Sequence, residues 1–332
     1  MEPDAEGQGQ GRVDRSRRAR RSWGYWTEAK LDVLARYLDA FTTTTKHKAP
    51  RERIYLDAFA GEGRGISRTT GEEFESSPRL ALSVDDPPFS RLRFFELGRK
   101  ASRLATDLAA DYPGRDFKVV SGDCNETIPQ VLQELCDLRV DWAPTFAFLD
   151  PDGMELSWDT VKTLADHKRQ RKNKVELWVL FSAPGLMRVL SRDEAKVTQR
   201  DVDMATAVFG NTGWAAIQQL RFEGPIEPTE AREEFVNLYR WQLERDLGYQ
   251  WTHPLEIKNL QGSPIYYMVF ATDNEAGNKI MADLYKDAAN RLPEMRRDAL
   301  DRISGQLTFE LDSVDQPRQQ LYEYQPPWQP LD

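Results

Sequence analysis

From Tyr25 to Phe41, the apolar residues Leu31, Leu34, Leu38 and Phe41 recur on one helical face, which predicts an amphipathic helix capped by Thr27. The next apolar run, Ile54–Phe59 (IYLDAF), is short and stops at glycines, as a buried strand does. Ser77-Pro78 then opens a helix to about Val84, with proline at its first position. After it come a strand at Leu92–Phe95 ending in Glu96, a helix at Lys100–Tyr112, and a strand at Phe117–Val120 ending in Gly122-Asp123. A helix at Thr127–Cys136 is entered through Pro129. A strand at Thr145–Leu149 ends in Asp150-Pro151, Ser157–Ala165 is helical, and a strand at Val175–Phe181 ends in Ala183-Pro184. Five strands with a helix between each consecutive pair imply a parallel sheet covered on both faces.

The second half reads differently. Thr229–Leu247 is a long helix with Phe235, Leu238, Tyr239 and Leu243 on one side and Thr229 as its cap. Trp251–Asn259 and Pro264–Thr272 read as strands of a hairpin joined through Leu260–Ser263. Asn274–Ala289 and Pro293–Ile303 read as two further helices, and Gln306–Leu311 as an added strand. Five parallel strands, a helix and a closing antiparallel hairpin make up the chain order of the Rossmann-like class I methyltransferase fold. A dehydrogenase domain would place a sixth parallel strand there. The expected organisation is an arm at 1–22, a methyltransferase-like α/β domain at 23–290, and an extension with a Pro/Gln-rich tail at 291–332.

Composition changes this picture little. At 332 residues, 40% apolar and 30% charged, the chain has ample material for a core. It lacks an apolar run long enough to span a bilayer and an apolar leader, and it has only two cysteines, Cys124 and Cys136. A cytoplasmic protein with reduced thiols and no membrane association is expected. The three histidines, His47, His167 and His253, are scattered, so no metal site is expected.

Charge is more informative than composition. The net charge of −9 argues against a uniformly basic nucleic-acid binder, yet Gly11–Ser22 (GRVDRSRRARRS) holds six arginines. The Arg12–Arg21 arm is therefore read either as a phosphate-neutralising grip on nucleic acid or as a solvated tail. Trp23 and Trp26 beside it stack on bases in the first case and staple the first helix in the second. The run His167–Lys174 (HKRQRKNK) precedes the fifth strand, away from the expected site, and reads as a solvated turn.

Ligands of open α/β sheets bind outside the carboxyl ends of the strands. Those ends carry Asp57-Ala-Phe59-Ala60-Gly61-Glu-Gly63, then Glu96, then Asp123-Cys124, then Asp150-Pro151-Asp152-Gly153. Gly61 and Gly63 allow close approach of the backbone and positive φ. Glu96 is placed to accept hydrogen bonds from ribose hydroxyls, Asp123 to bond an adenine amine, and Asp57 to bind or orient a methionine ammonium. A nicotinamide site wants Gly-x-Gly-x-x-Gly with a helix opening at once on the pyrophosphate. Gly65 falls one residue early for that, and the next helix cap waits until Ser77. S-adenosylmethionine has no phosphate, so it is the preferred cofactor, held by Asp57, Phe59, Ala60, Gly61, Gly63, Glu96, Asp123, Cys124 and Asp150.

Asp150-Pro151-Asp152-Gly153 stands where amino-methyltransferases carry Asp/Asn-Pro-Pro-aromatic. The acid there accepts hydrogen bonds from an amine and turns its lone pair toward the methyl group. Asp150 and Asp152 are the catalytic candidates, although no aromatic follows to stack on a flipped base. The long segment Arg64–Ser76 reads either as a lid, with Arg64 and Arg68 as substrate contacts, or as a mobile insertion, and Arg188, shortly after the fifth strand, is placed to reach substrate.

Several motifs recur together in order: Trp26…Lys30-Leu31…Tyr37-Leu38, Tyr55-Leu-Asp57-Ala-Phe-Ala-Gly61-Glu-Gly63, Ser77-Pro78…Ala81-Leu82, Phe95-Glu96, Gly122-Asp123, Phe148-Leu-Asp150-Pro151-Asp152-Gly153 and Tyr266–Thr272. In these the chain resembles the three-Cys-motif partner (TcmP) proteins from about Trp23 to Tyr285. Members of that family more often carry Pro at position 62 and Phe at position 152. The resemblance implies a methyltransferase-like fold and a partner related to radical-SAM proteins with three cysteines, but no substrate. The reading is a methyltransferase acting on a nucleic acid or nucleotide-derived group. Its alternatives are a non-methylating cofactor-binding partner subunit and a nicotinamide oxidoreductase.

Overall fold

The computed structural model describes residues 22–304, apart from 48, 50, 169–172 and 225. The arginine arm before Ser22, the strand expected at Gln306–Leu311 and the Pro/Gln-rich tail lie outside the described residues.

A two-residue strand, β1 (Ser22–Trp23), leads into helix α1 (Tyr25–Thr45). The chain then alternates through β2 (Ile54–Asp57), the hairpin β3 (Arg64–Ser67) and β4 (Glu73–Glu75), α2 (Ser77–Ser83), β5 (Arg91–Glu96), α3 (Gly98–Asp111), β6 (Phe117–Ser121), α4 (Cys124–Asp137), β7 (Thr145–Leu149), α5 (Trp158–Asp166) and β8 (Glu176–Phe181). Three helices follow, α6 (Ala183–Val189), α7 (Gln199–Phe209) and α8 (Trp214–Glu223), and then α9 (Pro228–Arg245). The hairpin β9 (Trp251–Lys258) and β10 (Pro264–Thr272) and helix α10 (Glu275–Ser304) complete the described chain.

The main sheet has seven strands in the order β6-β5-β2-β7-β8-β10-β9. Strands β6, β5, β2, β7 and β8 are parallel, while β10 runs antiparallel to both β8 and β9. This order, with an antiparallel hairpin inserted beside the fifth parallel strand, is that of the class I methyltransferase fold.

Strand alternation feeds two cores, one on each face. Tyr55, Phe146, Phe148, Trp178, Met268 and Phe270 point to the side covered by α1, α2, α3 and α10. Ile54, Leu56, Ala147, Leu149, Leu177, Val179 and Val269 point to the side covered by α4 through α9. The central strands β2, β7 and β8 are buried along their whole length, which explains their continuous apolar runs.

Several boundaries differ from expectation, each for a local reason. Helix α1 is capped at Gly24, so Thr27 lies within its first turn. Helix α4 begins at Cys124, because the Asp123 side chain accepts the Asn125 N–H as a cap; Pro129 lies inside the helix rather than opening it. Helix α9 starts at Pro228 and is capped by Glu227 through a reciprocal pair with Glu230. The two helices expected after β10 are one, continuous through Pro293. Helices α7 and α8 had no counterpart in the sequence reading; they pack against α5 and α9 through Val208, Phe209, Trp214 and Ile217.

Candidate cofactor and acceptor site

Strand β2 lies between β5 and β7, so the carboxyl ends of these three strands converge. The turn after β2 is held from both sides. Ala58 donates its N–H to the Phe148 carbonyl of β7 and Ala60 donates to the Phe95 carbonyl of β5, each at 3.0 Å. Gly61, at φ +67°, donates its N–H to Glu96 Oε2 at 2.7 Å, while Glu96 Oε1 accepts the Leu97 N–H at 2.9 Å. A carboxylate oxygen has further lone pairs, so Glu96 fixes the turn and still faces outward, half-buried. The two glycines differ in purpose. A Cβ on Gly61 meets nothing within 4 Å, whereas on Gly63, at φ +76°, it meets a methyl carbon of Leu104 at 2.9 Å. Gly61 borders open space, and Gly63 lets the turn pack on α3.

Asp57 lies beneath this turn rather than in the open cleft. It is completely buried and accepts hydrogen bonds from the Phe59 N–H at 3.4 Å, the Tyr55 hydroxyl at 3.3 Å and Ser77. Burial pushes its carboxyl up to about 7, and the nearby Asp150 carboxylate pushes the same way, against those hydrogen bonds. Asp57 therefore shapes the turn that carries Phe59 and Ala60.

At the end of β6, exposed Asp123 Oδ1 accepts the Asn125 backbone N–H and side-chain amide, each at 2.9 Å. One carboxylate oxygen is thus spent on capping. Cys124 is buried and its thiol is pushed up to about 12 by that burial, so it is a packing residue carrying no thiolate. Neither Cys124 nor Cys136 is in a disulfide.

Sequence reasoning missed Asn125. Its Oδ1 accepts from the Ser157 N–H (3.1 Å), the Ser157 hydroxyl (3.0 Å) and the Thr160 hydroxyl (2.7 Å), and its Nδ2 donates to the Glu155 carbonyl (2.7 Å). It clamps the start of α4 to the segment after β7. An asparagine inside a predicted helix start gives no sequence signal of this, because all but one of its partners lie 30 or more residues away.

Lys30 was also missed as chemistry. Its ammonium, on a nearly buried α1 side chain, is bonded to Asp150 Oδ2 and lies 5.9 Å and 5.5 Å from the ring centroids of Phe148 and Tyr266. Two polar atoms of this cluster are buried without any hydrogen-bond partner, Asp150 Oδ1 and the Tyr266 hydroxyl. Each such orphan costs about 1–3 kcal/mol unless something supplies the missing partner. Asp152, by contrast, is exposed, and Gly153 donates its N–H to Oε2 of the exposed Glu155 at 2.7 Å.

The arginines separate. Arg64, exposed, is ion-paired with Asp111 of α3 (3.2 Å) and Glu73 (3.5 Å). The supposed lid is the β3–β4 hairpin, which β1 extends into a three-stranded sheet. Gly71, at φ +73°, makes the turn between β3 and β4, and Gly65 leaves room for Trp23 and Phe74. Arg68 is exposed there, its backbone N–H on the Trp23 carbonyl at 2.7 Å. Trp23 and Trp26 are half-buried; Trp23 packs on the hairpin and Trp26 stands edge-on to Tyr25 at 5.7 Å. Arg188, on α6 just beyond the end of β8, is exposed at the same edge as the site.

A cavity of about 240 Å³ lies at the opposite edge of the sheet, among Thr45, Trp142, Lys168, Lys174, Glu176 and Asn274. Its buried carboxylate is already satisfied, since Glu176 accepts from the Tyr37 hydroxyl and, at 3.1 Å, from Thr272. Lys168, from the basic run, is buried there with its ammonium on the Ala143 carbonyl, and the rest of that run at 169–172 is outside the described residues. The unsatisfied polar atoms described above lie instead at the carboxyl edge.

The sheet order and its closing antiparallel hairpin define a class I methyltransferase-like fold. Structures similar to this chain include protein LPL1258 of Legionella pneumophila, of the DUF519 family model, at 12% identity and a TM-score of 0.47, covering 81% of this chain and 92% of that one. The methyltransferase domain of bacterial CtHen1-C is similar at 13% identity and a TM-score of 0.32, covering 72% and 98%. Arabidopsis thaliana protein arginine methyltransferase 10 is similar at 12% identity and a TM-score of 0.26, covering 72% and 59%. No family model and no curated protein sequence matches the chain. Among the described residues, no helix is long and apolar enough to cross a membrane.

Proposed function

We propose that this protein is an S-adenosylmethionine-dependent methyltransferase acting on a nucleic acid or nucleotide-derived amine. The observation that carries the reading is the state of Asp150. One carboxylate oxygen is bonded to Lys30, the other is buried without a partner, and the residue ends the strand beside the glycine turn. The edge fits the cofactor in three further respects. Open space borders Gly61, Glu96 retains acceptor capacity for two ribose hydroxyls, and only one oxygen of Asp123 is used in the capping bonds.

The bound cofactor would supply an electrophilic methyl group on a sulfonium. What the chain contributes is position. Glu96 and the turn at Phe59–Gly61 hold the ribose side, and Asp123 with the start of α4 holds the adenine side. Asp150 Oδ1 accepts an N–H of the acceptor amine and so directs the nitrogen lone pair. Such alignment is worth several powers of ten in rate.

The arginine arm supports a nucleic-acid substrate. It joins the described chain at β1, which pairs with β3 directly after the glycine turn. Six arginines at 12–21 immediately precede β1 in the sequence, and on this reading they neutralise substrate phosphates. The resemblance to three-Cys-motif partner proteins leaves a second reading, a cofactor-binding subunit that methylates nothing, and Gly153 in place of the aromatic favours it.

Calorimetry with S-adenosylmethionine, S-adenosylhomocysteine and NAD tests the cofactor. Binding of the two sulfur compounds, weakened by Glu96→Ala, is expected; binding of NAD alone overturns the reading. Cofactor binding with no methyl transfer to DNA, RNA or protein selects the partner-subunit reading.

A further inference from the structure

The Lys30–Asp150 pair asks for an explanation that packing does not give. A buried ion pair stabilises a fold little, since desolvation offsets the attraction, and two apolar side chains would fill the same space at least as well. Here the pair also leaves Asp150 Oδ1 and the Tyr266 hydroxyl without partners in the same cluster. Lys30 reaches in from α1, Asp150 ends β7 and Tyr266 lies on β10, so three elements distant in the sequence converge on one point. Tyr266 is more than nine-tenths buried.

We infer that Lys30 is a positioning and specificity residue: its ammonium holds Asp150 through Oδ2 so that Oδ1 faces the acceptor, and its charge restricts the acceptor to an uncharged nitrogen. The inference rests on the methyltransferase reading. An acceptor bearing an N–H donor fills Oδ1, and an adjacent lone pair fills the Tyr266 hydroxyl. A lysine-like acceptor enters as a cation and finds the Asp150 charge already neutralised by Lys30, so its desolvation in a partly buried pocket is uncompensated. A neutral amine on a conjugated ring meets no such barrier. The site therefore selects a nucleobase-type amine over a protein amine.

The test uses the full chain saturated with S-adenosylhomocysteine or with methyl-labelled S-adenosylmethionine. Binding by calorimetry and methyl transfer are both measured, against single-stranded RNA and DNA oligonucleotides of mixed sequence and against a lysine-containing peptide. The wild type is expected to bind and label oligonucleotides and to ignore the peptide. Lys30→Met leaves the Asp150 charge without its partner, and the transfer rate falls at least tenfold. The double variant Lys30→Met/Asp150→Asn removes both charges while keeping an acceptor oxygen, and recovers most of the rate lost in Lys30→Met. A lysine that only supports the fold allows the same recovery, since removing both charges relieves the unpaired carboxylate. The discriminating readout is therefore the peptide: Lys30→Met turns an unneutralised Asp150 toward the acceptor and is expected to bind the lysine-containing peptide at least tenfold more tightly than the wild type, whereas a merely structural lysine leaves peptide binding unchanged. Labelling of the peptide by the wild type, unchanged peptide binding in Lys30→Met, failure of the double variant to recover, or cofactor binding with neither probe accepted overturns the inference while leaving the cofactor reading standing. Failure to bind S-adenosylhomocysteine overturns both.

Discussion

Glu96 Oε2 accepts the backbone N–H of Gly61 at 2.7 Å, joining the end of β5 to the glycine turn after β2. The same carboxylate takes the Leu97 N–H, so one side chain fixes the position of the turn and the start of the segment that follows. Removing it in Glu96→Ala leaves two N–H groups to find other partners. The side chain is half-exposed, so solvent replaces part of the loss and the expected destabilisation is about 1–2 kcal/mol. Affinity for S-adenosylhomocysteine is expected to drop tenfold or more. Thermal unfolding and calorimetry on the same preparation check the two effects.

The glycines of the turn predict a graded pair of variants. Gly61→Ala incurs only the strain of a positive φ, about 1–2 kcal/mol. Gly63→Ala incurs that strain and also drives a methyl group against Leu104 of α3, so it is the more destabilising of the two. Urea unfolding orders them; equal losses would mean that α3 yields freely.

Asn125 ties α4 to the segment that carries Asp150 toward α5. Asn125→Ala removes acceptor and donor together and leaves Ser157, Thr160 and the Glu155 carbonyl without that partner. Loss of about 1–3 kcal/mol is expected. Amide exchange should rise at Ser157, whose N–H donates to this side chain, while β2 and β7 remain protected.

Glu176 gives a pH signature independent of the site. Its carboxyl is buried and pushed up to about 7 by desolvation, against the hydrogen bonds from Tyr37 and Thr272. In the unfolded chain it releases its proton near about 4.3. Between those values the folded protein holds the extra proton, so this group's contribution falls as pH rises to about 7 and is level above. Glu176→Gln abolishes that slope. The melting temperature of the variant relative to the wild type is therefore expected to rise between pH 5 and pH 7; an unchanged difference would refute the raised value.

The arm yields a salt experiment. Deleting Met1–Arg21 is expected to lower nucleic-acid affinity and to flatten its dependence on salt, because up to six phosphate contacts are lost. An unchanged slope makes the arm a tail.

Much of the architecture was legible in local pattern. Apolar runs at Ile54–Phe59 and Thr145–Leu149, and the hairpin at Trp251–Thr272, are set by period and length, and their order alone implies a parallel sheet closed by an antiparallel pair. Strand ends carry Glu96, Asp123 and Asp150, so the sequence also marked the carboxyl edge of the sheet as the place to look for a site. Only the tertiary structure decided which of these side chains are spent on the fold. Asp123 caps α4, Asp57 lies under the turn, and Arg64 is bound to Asp111. Likewise, Lys30 and Tyr266 join the candidate site only when α1 packs on the sheet and β10 pairs with β8, the neighbour of β7; Asp150 is 120 residues from Lys30 and 116 from Tyr266 in the sequence. Hydrophobic period is a property of neighbours in the chain; hydrogen-bond partnership and burial are properties of neighbours in space, and sequence spacing does not encode them.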